Sequence, residues 1–576
     1  MKTFHRLALL LLPLCVLVSS PLLAQQDTCQ WGWTAGGISS EVITQVKKDK
    51  FGNIYATGEW RSPTITVGSH TFNNAGLSDI MLLKFNSNGA LQWCKDFYGP
   101  DADRVRSLQI ADNGYVYIAG NFINDIQIGT VHVLANSYCA PPLPPCEDED
   151  IFVAKFSPAG DVIWARNYGN NEIPNVSAGQ DEEYDLKLSK DQKALFLYGF
   201  FDTKCVYGGD TITAAGGPGD WDVFLFKLDT LGNVNKMASI GSTSNDFAVK
   251  LDVDDDNNAY IAAIHVGNII AGPWILPGGT ASPYPVLIAK YDSSLTLIKA
   301  INITSLVTDI KLDKSRNVYV NSMFNTTATV NTTTFTSHGN YDILLTKLDN
   351  NLDVIWNKQI GGPEQDGSSA MVFDKYDNLY LSGDYQDTLS CDSVTIISSN
   401  SAASAKSGLF VLKLDSSGHA FDGITSKALG AAVAGGIDCI CVDSNEIYVG
   451  GTTQGNQDYG NGVTFNASFS DYLVLKYLQQ LSVPQDTTTG IALNTLQTQG
   501  LLYPDPASLN ETVHISYAPS AIDHADVYNI EGRLIKTISN TKRQASLEFR
   551  LDAAGLYVVR SYAADGSVFY NKLLIK

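Results

Sequence analysis

The chain has 576 residues, too many for one ordinary core, so several domains or a repeat architecture are expected. Hydrophobic residues make up 44% and charged residues 17%, a globular composition, and 48 Gly with 27 Tyr suit strands joined by tight turns. Lys and Arg number 39 against 60 Asp and Glu, a formal net charge of −21; such a surface repels phosphate backbones, which disfavours nucleic-acid partners, and no basic amphipathic stretch points to a membrane surface.

The first element is a targeting segment. Lys2 and Arg6 form a positive start, Leu7 to Val18 is an apolar run of signal-peptide length, and Ala24 precedes Gln25 as the cleavage point, so residues 1–24 read as a removable signal peptide. Cys15 follows Leu14, where a lipoprotein signal wants a small residue, and soluble export is the expectation. No later run reaches membrane-spanning length, so the mature chain is expected to lack a transmembrane segment. Export permits disulfides among Cys29, Cys94, Cys139, Cys146, Cys205, Cys391, Cys439 and Cys441. Cys139 and Cys146, bracketing a Pro-rich loop, are the candidate pair. Cys439 and Cys441 sit two apart in a strand and face one way, and no CxxC pair argues for a metal.

From there to Leu478 two elements alternate, each seven times. One is a turn followed by a strand with a central aromatic: Tyr55, Tyr117, Phe196, Tyr260, Tyr319, Tyr380 and Tyr448. The other is an apolar strand ending in lysine: Lys84, Lys155, Lys227, Lys290, Lys347, Lys413 and Lys476. The second runs into hairpin turns such as Asn86-Ser-Asn-Gly89 and Asp229-Thr-Leu-Gly232, and then into a strand that often starts near Trp and ends in Gly. Each repeat therefore holds about four strands. The lysine-ended strands are apolar at nearly every position, which predicts sheets covered on both faces. The lysines themselves are expected to pack within their own sheet and pair with a nearby carboxylate.

The seventh repeat stops at Leu478 without its Trp-to-Gly strand. Gln30-Trp31-Gly-Trp-Thr-Ala-Gly36-Gly37 matches Trp356-Asn-Lys-Gln-Ile-Gly361-Gly362 and supplies it, a permutation that closes a ring and removes an orphan edge. The fold expected is all-β: a seven-bladed β-propeller over residues 25–478, its last blade closed by the N-terminal strand. The pattern resembles the bacterial β-propeller repeats called SBBP repeats, which occur in exported proteins and share no common activity.

Residues 479–500 lack the pattern and read as a linker. The remainder, 501–576, is made of short strands split by turns, which suits a small Ig-like β-sandwich. It carries Tyr503-Pro504-Asp-Pro506-Ala, then Val527-Tyr-Asn-Ile-Glu-Gly532-Arg533, then Gly555-Leu-Tyr557-Val-Val. This segment resembles the type A C-terminal sorting domain of type IX secretion substrates, with Asp505 where Asn is usual. The resemblance implies delivery across the outer membrane, with the type IX machinery as partner and a secreted or cell-surface location.

Features shared by all repeats are scaffold, and departures from the repeat are the places to look for function. Those departures are Glu59-Trp60-Arg61, the loop of Cys139 and Cys146 with Glu147-Asp-Glu-Asp150, Gln180-Asp-Glu-Glu183, and Trp274. An aromatic beside carboxylates suits sugar. Asp252, Asp254 and Asp256 alternate as calcium ligands do, but they fall on a repeated turn and lack the later Glu of a calcium loop; no other cofactor is expected. HExxH, Gly-x-Ser-x-Gly and P-loop motifs are absent, and the sialidase Asp-box spacing from Ser157 to Trp164 has Ala159 where Asp is required. A non-catalytic module that binds a protein or glycan is the expectation. A secreted polysaccharide- or peptide-cleaving enzyme on the same scaffold is the alternative, its carboxylates meeting only in space.

Overall fold

A computed structural model describes residues 28–135, 149–169, 181–207, 209–217, 219–271, 273–279, 284–392, 394–397, 407–425, 427–429, 436–443, 446–459, 461–478, 501–503, 507–516, 522–529, 534–540, 546–563 and 568–575. The segment 1–24, Cys139, Cys146 and the linker 479–500 lie outside them. Among the described residues every regular element is a strand, the strands pair antiparallel, and no helix is long and apolar enough to cross a membrane.

The same sheet plan recurs along the chain. In the first sheet Glu41–Lys48, Ile54–Trp60, Asp79–Phe85 and Leu91–Tyr98 pair in chain order. Five further sheets of this plan open with Arg104–Ile110, Glu182–Leu188, Asp246–Val253, Leu306–Leu312 and Asp366–Phe373. A seventh holds Ile437–Asp443, Glu446–Asp458 and Thr464–Leu478, and its last member is Thr28–Ala35 from the start of the described chain. Trp31 lies opposite Lys476 as Trp356 lies opposite Lys347, so the match between the two Trp strands holds residue for residue.

The apolar strands are buried on both faces: Asp79–Phe85 is buried at every position but Lys84, and Ala194–Asp202 throughout. What covers them is the neighbouring sheet. One core joins Tyr55, Ile80 and Leu82 of the first sheet to Val105, Leu108 and Phe152 of the second, and similar cores join each later sheet to the next. A further core joins Ile43, Val46 and Met81 of the first sheet to Cys439, Tyr448 and Tyr472 of the last. The opening strands touch one another in succession, and Ile437–Asp443 touches Glu41–Lys48. Each fully buried Leu, Ile or Phe in these layers contributes about 1.5–3 kcal/mol.

The repeated lysines fasten one sheet to the next. Each ammonium sits over the repeat's own aromatic ring, from 4.8 Å for Lys347 on Tyr319 to 5.5 Å for Lys476 on Tyr448. The lysine and the aromatic are cross-strand neighbours, as Tyr55 and Lys84 show. The partner beyond the ring is a surprise relative to sequence. Lys84 donates to the Pro158 carbonyl at 3.1 Å, Lys155 to Thr230 at 3.3 Å, Lys227 to Ser293 at 2.7 Å, Lys290 to Asn350 at 3.0 Å and Lys347 to Ser416 at 3.1 Å. Each acceptor is the second residue of the hairpin turn in the following sheet. Lys476 follows the rule across the seam, donating to Ser87 of the first sheet at 3.3 Å, while also pairing with Glu446 at 2.6 Å.

The C-terminal region has two antiparallel sheets: Leu501–Tyr503, Val513–Ser516 and Ser546–Phe549 in one, and Leu534–Ser539, Ile522–Asn529, Gly555–Ala563 and Val568–Ile575 in the other. They share a core of Val513, Ile515, Val527, Phe549, Val559 and Leu573. Of the motif residues, Tyr503 pairs with His514, Gly555 opens a strand opposite Ile575, and the buried Tyr557 donates its hydroxyl to the Ala553 carbonyl at 2.9 Å. Pro504, Pro506, Gly532 and Arg533 lie outside the described residues.

Candidate functional site

The two ends of the sheets differ in chemistry. At the end where first and third strands begin, most sheets carry buried carboxylates: Glu41, Asp103, Asp246 and Asp366 on or just before first strands, Asp79, Asp150, Asp222 and Asp342 on third strands. They accept from loop amides, as Asp79 does from Ala75 at 3.0 Å, Asp222 from Ala215 at 2.9 Å and Asp366 from Gly362 at 2.6 Å. Burial pushes Asp79 and Asp222 up to about 6, and Asp246 and Asp366 up to about 7. Their recurrence marks them as scaffold.

Against that repeated frame, one set of side chains at the same end does not recur. Every first strand contains a bulge, and the residue at the bulge is Thr44, Arg106, Tyr184, Val249, Thr308, Ser369 and Asp438 in successive sheets. Two residues earlier stand Val42, Arg104, Glu182, Phe247, Leu306 and Gly367 in the first six sheets. Sheets two to four thus carry charged and aromatic groups where sheets five and six carry Leu306, Thr308, Gly367 and Ser369, which are uncharged and non-aromatic.

These groups meet. Arg104 donates Nη1 to Glu149 Oε1 at 2.9 Å, and Arg106 donates Nη2 to Glu182 Oε2 at 3.2 Å. The Arg106 guanidinium also lies 4.7 Å from the centre of the Tyr184 ring. From Tyr184 an aromatic series continues to Phe200 at 5.8 Å, Trp221 at 5.3 Å and Phe247 at 5.5 Å from one ring centre to the next. Phe200 is buried beneath, while Tyr184, Trp221 and Phe247 are only half-buried. Such rings offer an apolar face beside fixed hydrogen-bonding groups.

Three of the sequence candidates converge here. Glu59, from the second strand of the first sheet, lies in the field of Arg106, Arg104 and Arg61, which offset a burial that raises its carboxyl. Burial and then the neighbouring Glu182 raise Glu149, against the pull of Arg104 and Arg106. Glu183, next to Glu182, points the other way: it is fully buried, takes the Ser107 hydroxyl at 2.6 Å, and is pushed up to about 7 by burial. Arg104, Arg106, Tyr184, Phe200, Trp221 and Phe247 were not singled out in the sequence.

The other candidates go elsewhere. Trp60 is core, Asp150 accepts from Asn167 at 2.7 Å, and Trp274 sits on an outer hairpin with Ile269–Ala271. Asp252 accepts from the Leu312 amide at 2.9 Å, and Asp256 pairs with Arg316. Asp254 accepts the amides of Asp256 and Asn258, both at 2.9 Å, and the Asn258 side chain at 2.8 Å. Asp49, Asp313 and Asp374 hold their turns with the same Asp-to-Asn bond four residues on. Among the described residues no three His, Cys, Asp or Glu are grouped as metal ligands.

Residues 501–576 match the family model described as a secretion system C-terminal sorting domain, which marks the chain for type IX export to the cell surface or the extracellular space. A search of curated proteins returned no match. Solved structures with a similar chain path include a protein of unknown function from Bacteroides caccae, 7% identical over 67% of this chain and 94% of that one, with a TM-score of 0.31. A fungal alcohol oxidase of the AA5 family in complex with copper is 7% identical over 96% of this chain and 100% of that one, at 0.37. The extracellular domain of a putative one-component system from B. thetaiotaomicron is 10% identical over 96% and 98%, at 0.16. At these scores the likeness decides neither fold nor function.

Proposed function

We propose that the exported chain is a non-catalytic binding protein: residues 25–478 form a seven-bladed propeller of the SBBP-repeat type that holds a protein or glycan ligand at one end of its ring. In this reading residues 1–24 are the signal peptide, 479–500 a linker, and 501–576 an Ig-like sandwich read by the type IX machinery. Support for the ring comes from the succession of opening-strand contacts, which returns to its start, and from Thr28–Ala35 completing the last sheet. A completed ring leaves no open sheet edge at the seam.

The observation that carries the binding reading is the convergence of Arg104, Arg106, Glu149, Glu182, Tyr184, Trp221 and Phe247 in sheets two to four, a combination of paired charges and aromatic rings that the equivalent positions of the other sheets do not repeat. Side chains unlike their repeat equivalents, gathered from three sheets at one end, are a site and not a scaffold. One observation favours the alternative, a glycan-cleaving enzyme: Glu149 has a carboxyl raised by burial and by the neighbouring Glu182, the kind of paired-carboxyl environment a glycosidase needs for its acid. The test is a protein and glycan array run beside a turnover assay on the purified mature chain. Saturable retention without product is expected. Release of reducing ends or peptides would replace the binding reading with the enzymatic one.

A further inference from the structure

We propose that this end of sheets two to four binds a neutral carbohydrate, with pyranose faces stacking on Trp221 and Phe247 and ring hydroxyls bonding to the Arg104–Glu149 and Arg106–Glu182 pairs. The inference rests on the binding reading and narrows it to a ligand class.

The aromatic part of the argument is geometric. Trp221 lies nearly parallel to Phe200, 22° between planes, and Phe247 meets it edge-on at 78°. Phe200 is buried, so it backs the half-exposed Trp221 and holds its plane. A rigid aromatic face attracts the polarised C–H groups on one side of a pyranose, and a locked ring loses little entropy on binding. The Trp221 indole N–H donates to no described residue and is left for a hydroxyl.

The polar part concerns donor and acceptor balance. Sugar hydroxyls donate and accept at once, so they need both functions side by side. The two ion pairs supply that alternation: guanidinium N–H groups beside carboxylate oxygens, in two adjacent sets. Each pair fixes the geometry of its members, and Tyr184 further holds Arg106 by its ring face. Arg106 spends one Nη2 hydrogen on Glu182, so the guanidinium keeps further N–H groups to offer a hydroxyl.

Charge selects among glycans. Arg104 and Arg106 are matched by Glu149 and Glu182, the third carboxyl, Glu59, is matched by Arg61, and the whole chain carries −21. A uronate or sulfated sugar would have to displace a carboxylate from its arginine against this field. A neutral sugar displaces only water.

The experiment titrates the mature full-length chain with cello-, malto- and manno-oligosaccharides, and in parallel with oligogalacturonate, by calorimetry and tryptophan fluorescence. At least one neutral series is expected to bind and quench fluorescence, with oligogalacturonate inert. Trp221→Ala should weaken that binding by about tenfold or more. Glu182→Gln, which keeps the shape, should weaken it as well, so the proposal is testable even if Trp221→Ala disturbs folding. Trp274→Ala on the outer hairpin should leave it unchanged. Preference for oligogalacturonate, no neutral sugar bound, or full affinity in both Trp221→Ala and Glu182→Gln would each overturn the assignment. A protein partner retained on the array would still leave the general binding reading standing, whereas hydrolysis of a bound oligosaccharide would end that reading and leave the site in place.

Discussion

Replacing Asp366 with Asn should make the protein more stable in alkali and leave it unchanged in acid. Asp366 is fully buried, its Oδ2 accepts the Gly362 amide, and its Oδ1 has no partner. Burial is the main cause that lifts its carboxyl from 3.8 to about 7, and Asp342 and Asp384 add to it. Asp342 is itself buried and already accepts from the His338 amide, Ser337 and Gln359, and the His338 imidazole lies 3.1 Å from its Oδ2. The sign follows from linkage: the folded state keeps a proton that the unfolded chain gives up, so stability falls as pH rises from about 4 to about 7 and then levels off. Each tenfold in acidity is about 1.4 kcal/mol, so the full difference is about 4 kcal/mol above pH 7. For a unit of this size that corresponds to a melting shift of about 4 °C. Asn keeps the acceptor for Gly362 and carries no charge, so calorimetry across this range should show a wild-type decline that Asp366→Asn makes shallower by that amount, the other raised carboxyls keeping their share. Parallel curves for the two proteins, or a steeper decline in the variant, would refute the account.

Further outcomes follow from other parts of the molecule. Lys476→Met should destabilise the protein by about 1–3 kcal/mol in denaturant unfolding, because it removes a charge-assisted bond to Ser87 across the seam and a partner of Glu446; an unchanged midpoint would show that the seam lysine is inert. Asp254→Ala should cost about 2 kcal/mol by stranding turn donors, while calcium leaves the wild-type melting temperature where it was; a calcium-dependent rise abolished by Asp254→Ala would restore the metal reading. Deleting residues 501–576 should strand the protein in the periplasm, read by fractionation, and normal surface delivery would contradict the sorting assignment.

The scaffold was legible because its signals are local. A lysine after an apolar strand, an aromatic after a turn, and a Trp strand displaced to the other end of the chain can be counted without coordinates, and Trp31 does lie opposite Lys476. The expected carboxylate partners appear for Lys347 with Asp313 and Lys476 with Glu446, whereas the recurring acceptor, a backbone carbonyl in the next sheet, has no residue signature. The aspartates at 252, 254 and 256 looked like ligands in isolation; beside Asp49, Asp313 and Asp374 the middle one is a turn residue bonded to an Asn four positions on. The site itself was half legible. Glu59, Glu149 and Glu182 stood out as departures, but their meeting depends on first strands that share no motif, and only the bulge brings Arg106, Tyr184 and Val249 into register.

The pairing of Thr28 with Leu478 has a mechanical side. Residues 28–35 have no strand to join until residues 464–478 are in place, so completing the last sheet closes the longest loop in the chain. Once formed, both strands leave their sheet at the same corner, and the path to the sorting domain departs from it. Tension applied between Thr28 and Leu478 loads one backbone pair at a time, as a zipper does, whereas every other sheet has its strands joined by turns and feels none of it. The pairing that completes the last sheet is also the one that a pull between Thr28 and Leu478 would open first.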